Sequence, residues 1–236
     1  MEELVTYDWY IHLSLLGHAF VIKVNLTTFV TSLCIILFLS FFSWLGTRKL
    51  SLIPSKYQAL LEIIVETFDK LLQDTIGKKD GRKYLTFSIS LFLFIFISNI
   101  VGIFPFGWTE PTRDLNVPFA LALLTFFISN VAAIKKKGLW TYLKEYTQPF
   151  IIMLPLNIVG EIAKVISHSF RLYGNILGGA IIIAILSELT KYFLFPVFLN
   201  AFFGLFVGAI QAFVFTMLAI TYIAVAIATD EEEEQE

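Results

Sequence analysis

Residues 150–188 read FIIMLPLNIVGEIAKVISHSFRLYGNILGGAIIIAILSE, an apolar segment that carries polar and ionisable side chains at regular intervals. The polar positions are Asn157, Glu161, Lys164, His168, Arg171 and Asn175, with Ser167 beside them. Their spacings of four and three residues average 3.6, so they fall on one face of an α-helix. Because each ionisable group at mid-membrane costs about 2.5–3.5 kcal/mol on insertion scales, this face predicts an aqueous path or a polar partner.

The charges on this face have different ways of being accommodated. Glu161 and Lys164 lie three residues apart, so they can pair with each other, or they can become neutral and line a path. Arg171 keeps its charge because the pKa of a guanidinium is above ~12. Its charge is met either by pairing within the chain or by an anion that another subunit supplies, and we favour the second interpretation.

Small residues mark two helix faces that are suited to close packing. In the first long segment these residues are Gly174 and Gly178, which allow a neighbouring backbone to approach a surface otherwise rich in isoleucine and leucine. A second long apolar segment, 195–228, repeats the four-then-three spacing with Gly204, Gly208 and Gln211. The pattern predicts two complementary faces.

The composition of the whole chain agrees with a membrane protein. Of the 236 residues, 57% are hydrophobic and 15% are charged, which excludes a disordered or collagen-like chain and makes an ordinary soluble domain a poor fit. The net charge of −2 indicates no nucleic-acid partner. The one cysteine, Cys34, lies in an apolar run and is predicted to act as a hydrophobic residue.

The predicted fold is an all-α polytopic membrane protein in a single membrane domain, with about five membrane helices and one interfacial amphipathic helix. The membrane helices are expected at 26–46, 84–106, 117–134, 150–188 and 195–228. Residues 55–77 have apolar positions every three or four residues and form the amphipathic helix, whose alternative location is against another protein domain. The last two helices exceed a ~30 Å hydrocarbon core, so they must tilt strongly, bend or lie partly in the membrane plane.

Lysine and arginine gather at alternate ends of these runs. The positive-inside rule therefore places 48–83 and 135–145 in the cytoplasm, and the N-terminal segment 1–25 and the loop 107–116 outside. The acidic tail 229–236 is expected to be a disordered cytoplasmic end. The N-terminus lacks the basic region of a cleaved signal peptide. No Walker A, HExxH, CxxC or GxSxG motif is found, so an enzyme acting alone on a soluble substrate is poorly supported, and no metal site is predicted.

Several segments together resemble subunit a of the rotary F-type ATP synthases. FRLYGNILGG at 170–179 is similar to the arginine segment of that family, and QAFVFTMLAITYIAVA at 211–226 is similar to its closing helix. PLNIVGEIAK, SNIVGIFPF and PTRDLNVP fall in matching order, so the resemblance covers nearly the whole chain. It implies a stator subunit that couples ion flow to ATP synthesis and is not itself catalytic for ATP.

The resemblance also implies partners and a location. The partners are the c-subunit ring, the b-subunit peripheral stalk, the other ATP synthase subunits and the lipid bilayer, with H⁺ or Na⁺ as the translocated ion and no cofactor. We expect a bacterial plasma (inner) membrane location, with the N-terminus outside and the C-terminus in the cytoplasm. In the family, the arginine matched by Arg171 is a fixed charge that faces the c-ring carboxylates between two half-channels, and Asn175 and Gln211 match polar neighbours of it.

The chain departs from some family members at two positions. Those relatives have an acid and a histidine where this chain has Ala180 and Gly204. We therefore expect the ion route to use Glu161, His168 or Glu188. Two interpretations from other classes are a secondary transporter, which normally shows paired repeats with interrupted helices in both halves, and a purely structural membrane bundle.

Overall fold

The computed structural model describes residues 8–15, 18–48, 56–103, 110–147, 150–190 and 194–228. It confirms an all-α membrane architecture, since five helices in these ranges are long and apolar enough to cross a membrane. The predicted acidic tail 229–236 lies outside the described residues, as do residues 104–106 at the end of the second predicted span.

A β-hairpin precedes the first membrane helix. The prediction of an all-helical chain did not include this hairpin. Strand β1 (Asp8–Leu15) pairs antiparallel with strand β2 (His18–Asn25), so that Asp8 lies opposite Asn25 and Leu15 opposite His18. The signal was present in the sequence as a period of two, which is typical of strands: apolar residues occupy Trp9, Ile11, Leu13 and Leu15.

The first half of the chain continues with four α-helices. They are α1 (Leu26–Thr47), α2 (Lys56–Ile76), α3 (Lys78–Gly81) and, after a 3₁₀ turn at Arg82–Tyr84, α4 (Leu85–Val101). The Asn25 side chain caps α1 by accepting a hydrogen bond of 3.1 Å from the Thr27 amide, which satisfies a backbone donor that the helix leaves free. Helix α1 thus begins directly where the hairpin ends.

The second half contains the two long helical segments. After a 3₁₀ turn at Pro111–Arg113 come α5 (Asn116–Lys137), α6 (Leu139–Glu145), α7 (Met153–Thr190), α8 (Leu194–Ala201), a π-helical turn at Phe202–Val207 and α9 (Gly208–Ile227). Helix α7 has 38 residues and is therefore about 57 Å long at ~1.5 Å per residue.

The core of the bundle lies between α4, α5, α7 and α9. Ile95, Leu172 and Phe215 are fully buried there, one from each of α4, α7 and α9, and Ala122 of α5 allows close approach. Large apolar side chains on the outer surfaces are exposed in the isolated chain, as expected for surfaces that meet lipid or partner subunits.

The amphipathic helix α2 packs on the bundle through its second half. Phe68 and Leu72 are buried against Ile220 of α9, whereas Leu60 and Ile63 in the first half are exposed. The spacing of four between Phe68 and Leu72 places both on one face, as the sequence pattern predicts. This helix is therefore anchored to its own chain at one end.

Salt bridges hold the basic segments together at one end of the bundle. Asp80 accepts from Lys83 at 2.7 Å and lies 3.5 Å from the ammonium of Lys136, so it joins α3 and the 3₁₀ turn before α4 to the end of α5. Both basic segments consequently lie at the same end, which is called the basic end below.

Candidate functional site

A cavity of about 540 Å³ opens beside the first half of α7 and reaches the basic end. We call it the tyrosine cavity because Tyr142, Tyr146 and Tyr222 line it. Four of the predicted site residues of α7 also line it: Asn157, Glu161, Lys164 and His168. The polar face of α7 is therefore directed partly into a space within the chain, beside α5, α6 and α9.

Hydrogen bonds order the mouth of the tyrosine cavity. Tyr142 donates to the Oδ1 atom of Asn130, and its hydroxyl lies 2.7 Å from that of Tyr146. Asn157 Nδ2 donates to the Tyr146 carbonyl at 2.9 Å, which ties α7 to the segment after α6. Burial, together with the hydrogen bond to Tyr142, raises the pKa of Tyr146, so this hydroxyl stays neutral and can still donate and accept.

Two ion pairs line the same cavity. Lys164 Nζ lies 2.6 Å from Glu161 Oε1, so these two residues form the ion pair that was one of the two alternatives left open by the sequence. The largely buried ammonium of Lys137 lies 2.8 Å from Glu145 Oε1. Neither pair leaves an isolated charge, which explains how the face tolerates these residues.

His168 lies at the inner end of the tyrosine cavity. The centroid of its ring lies 3.7 Å from that of Phe215, with the two ring planes tilted by 30°, and 5.5 Å from that of Tyr222 in an edge-on arrangement. It is 1% exposed, and neither ring nitrogen has a hydrogen-bond partner among the described residues. A buried imidazole without a partner is costly, so its nitrogens have room in their hydrogen bonding for a water molecule in the cavity.

Arg171 lies one turn beyond His168 and is exposed on the surface of α7. No hydrogen bond or ion pair joins its guanidinium to another residue in the described part of the chain, so pairing within those ranges is not how its charge is met. It lines neither the tyrosine cavity nor the cavity described next.

A second cavity, of about 530 Å³, opens beside the second half of α7. We call it the amide cavity because Asn99, Asn175, Asn200 and Gln211 line it. Asn175 Nδ2 donates to Gln211 Oε1, which joins α7 to α9 four residues after Arg171, and Gln211 Nε2 has no partner among the described residues. The two predicted neighbours of the arginine therefore meet at this cavity.

The amide cavity is held open by a buried hydrogen-bond network. Asn99 Nδ2 donates to the Gly208 carbonyl at 3.1 Å, and the Thr112 hydroxyl donates to Asn99 Oδ1 at 2.9 Å. Asn99 and Thr112 are almost completely buried. The network connects α4, α9 and the 3₁₀ turn after α4, so it fixes three walls of the cavity.

The predicted glycine faces meet only in part: a β-carbon added at Gly179, next to Gly178, would lie 3.0 Å from the ring of Phe203 in the second long segment. A β-carbon added at Gly208 would lie 2.8 Å from Asn99, and one at Gly204 would meet Ile103 and Asn99, so these glycines pack on α4 and the residues just after it. Near Gly174 and Gly178, by contrast, no described atom beyond the adjacent residues and the surrounding backbone of α7 itself lies within 4 Å of an added β-carbon. The surface around Gly174 and Gly178 is therefore open in the described part of the chain.

Two predicted residues lie away from both cavities. Ser167 and Glu188 are exposed on α7 and line neither cavity. Sequence reasoning missed Asn99, Tyr142 and Tyr146 as lining residues. Asn99 lies within SNIVGIFPF, so the resemblance of that segment was the available signal.

Comparison with known proteins gives a consistent picture. Residues 27–224 match a protein family described as ATP synthase A chain. The chain is 41% identical to ATP synthase subunit a of Albidiferax ferrireducens over 211 residues, covering 89% of each chain. It is 42% identical to ATP synthase subunit a 1 of Crocosphaera subtropica, covering 84% of this chain and 85% of the relative. It is 41% identical to ATP synthase subunit a of Moorella thermoacetica, covering 77% and 81%.

Proposed function

Because the chain belongs to the ATP synthase A chain family, and is thus a membrane stator subunit that works with other ATP synthase subunits, we propose that it conducts the coupling ion past Arg171. In this proposal Arg171 faces the carboxylates of a c-subunit ring, and the b-subunit peripheral stalk holds the chain against that ring. The chain supplies the ion path and does not itself hydrolyse ATP.

The two cavities serve as half-channels in this proposal. The observation that supports it most is their position: one ends at His168 and the other at Asn175, on the two sides of Arg171 along α7. Along the helix axis these residues lie about 4.5 Å before and 6 Å after the arginine. An ion that enters one cavity meets a fixed positive charge before it reaches the other, so it does not pass straight through.

The proposed orientation of the chain in the membrane follows from the position of the basic end. The lysines and arginines around Asp80 are proposed to lie in the cytoplasm of a bacterial cell, with the membrane as the plasma membrane. The tyrosine cavity then opens to the cytoplasm and the amide cavity to the outside. The N-terminal hairpin lies outside, and the C-terminus lies in the cytoplasm.

The charge of Arg171 is large enough to move an ion. At ~4 Å and an effective dielectric constant near 20, its attraction to a rotor carboxylate is about 4 kcal/mol before desolvation reduces it. Since each 1.4 kcal/mol is a factor of ten, this weakens binding of the cation on that carboxylate by up to about a thousandfold. The membrane potential adds about 2.3 kcal/mol per charge per 100 mV.

The proposal is tested by ATP synthesis in vesicles that contain the assembled complex. A pH gradient and a sodium gradient are applied separately, and synthesis driven by one of them identifies the ion. If neither gradient drives synthesis by a complex that hydrolyses ATP, the proposed coupling role is wrong.

We expect replacement of Glu161 by glutamine to lower ion-driven ATP synthesis roughly tenfold, because it removes an ionisable group from the tyrosine cavity and leaves Lys164 unpaired. The matched control is Glu66→Gln, which breaks an exposed glutamate–lysine pair on α2 at 2.9 Å. It is expected to leave the rate unchanged. Normal synthesis in Glu161→Gln vesicles would remove Glu161 from the ion path.

A further inference from the structure

The amide cavity contains one carboxylate that the sequence analysis did not assign to the ion route. Ala180 and Gly204, the positions where some relatives carry an acid and a histidine, both line this cavity. Neither can exchange a proton. Glu110 lines the same cavity, and it is the only carboxylate among the described lining residues.

The fold places Glu110 at this position through its neighbours. Its carbonyl accepts a hydrogen bond of 3.1 Å from the Arg113 amide, and the next two residues, Pro111 and Thr112, are buried. Its carboxylate lies over Gly102 at the end of α4, in space that any side chain at Gly102 would occupy. The 3₁₀ turn positions the carboxylate, and the absence of a side chain at Gly102 leaves the space that it occupies inside the cavity.

The electrostatic surroundings keep this carboxyl group exchangeable. Burial raises the pKa of Glu110, and the charge of Arg113 opposes that effect only partly. The other elements that line the cavity contribute the uncharged amides of Asn99, Asn175 and Gln211. No ion pair within 4 Å fixes Glu110 to a cation in the described residues. A raised pKa means that this carboxyl group takes up a proton more readily than a carboxyl group in water does.

We infer that Glu110 is the proton-exchanging group of the amide cavity and takes the place of the acid and histidine that this chain lacks. The proton is taken up by the carboxylate from water at the cavity mouth and is released toward Asn175 and Gln211. No bond other than O–H is made or broken, so the step needs no co-reactant. This inference rests on the proposed function, because it assigns a residue to one of its two half-channels.

The test uses the assembled complex in vesicles with Glu110→Gln, which keeps the size of the side chain and removes its proton exchange. We expect ATP synthesis driven by a pH gradient, and passive proton flow after removal of the catalytic sector, to fall about tenfold or more. The matched control is Asp114→Asn, an acid-to-amide change four residues away and outside the cavity. It is expected to leave both rates unchanged at equal amounts of assembled complex.

Two further variants distinguish proton exchange by Glu110 from a purely structural role of this residue. Glu110→Asp is expected to keep proton flow, with an inflection in its pH profile that Glu110→Gln lacks. Adding Ala180→Glu to Glu110→Gln is expected to restore flow, because the carboxylate returns to the same cavity. Unchanged proton flow and an unchanged pH profile in Glu110→Gln would overturn the inference. It would also be overturned if Glu110→Asp lost proton flow and the addition of Ala180→Glu to Glu110→Gln did not restore it. If Arg171→Ala in the same vesicles synthesises ATP normally, the proposed function fails instead.

Discussion

ATP synthesis falls to background when Arg171 is replaced by alanine, and this is the largest effect that we expect from any single substitution in the chain. Arg171 is exposed and has no partner in the described part of the chain, so its removal breaks no contact that the fold needs. What is lost is the fixed charge, worth about 4 kcal/mol toward a facing carboxylate. We also expect increased passive ion flow, because nothing then separates the two cavities electrostatically.

Lysine at this position retains a positive charge and is still expected to be defective. The ammonium is a compact, strongly hydrated charge, whereas the guanidinium presents a planar fork of donors. The measurement is ATP synthesis per assembled complex in vesicles, with Arg82→Ala as a control that removes an exposed arginine near the basic end. Coupling at the unsubstituted rate in either Arg171 variant would show that the resemblance assigns this residue the wrong role.

The second large effect is expected from replacement of Asn99 by leucine. The change keeps a similar side-chain volume but leaves the Thr112 hydroxyl buried without a partner and removes the bond to the Gly208 carbonyl. Each lost buried hydrogen bond costs about 1–3 kcal/mol, so the loss of two gives an expected destabilisation of about 2–6 kcal/mol. It is measured as a lower temperature at which the chain dissociates from the detergent-solubilised complex.

A neighbouring residue provides the control for this prediction. Ser98 is fully buried, and its hydroxyl has no hydrogen-bond partner in the described residues, so Ser98→Ala is expected to be neutral or slightly stabilising. Combining Asn99→Leu with Thr112→Val tests the network directly, since coupled residues give non-additive changes. Equal stability of the Asn99→Leu and Ser98→Ala complexes would contradict the role of the network.

The sequence predicts those features that depend on local periodicity. Hydropathy and spacing were enough to predict the membrane helices and to place Asn157, Glu161 and Arg171 on one face of α7. The charge of Arg171 could be interpreted without a structure because a guanidinium stays charged in any surroundings. The Glu161–Lys164 pair was one of two open interpretations, since spacing allows a pair but does not decide whether it forms.

Contacts between distant segments could not be predicted in this way. Asn99 and Gly208 are 109 residues apart, and periodicity identifies the faces of helices but not which helices become neighbours. The same limit explains why the spacing of Gly204 and Gly208 indicated a face for close packing but not that Asn99 packs against it. Glu110 lies in an irregular loop without a period, so nothing local indicated that its carboxylate enters a cavity.

The length of α7 has a consequence for the path of the ion. A helix of about 57 Å that is inclined by about 40°, the upper end of the usual range, spans ~44 Å of depth, which matches a bilayer with its headgroups. On a helix inclined in this way, Asn175 lies about 8 Å deeper or shallower in the membrane than His168 and about 7 Å to the side of it. If the function is as proposed, the inner ends of the two half-channels are displaced along the circumference of the c-subunit ring, so an ion completes its crossing only after the c subunit that carries it has moved along that arc.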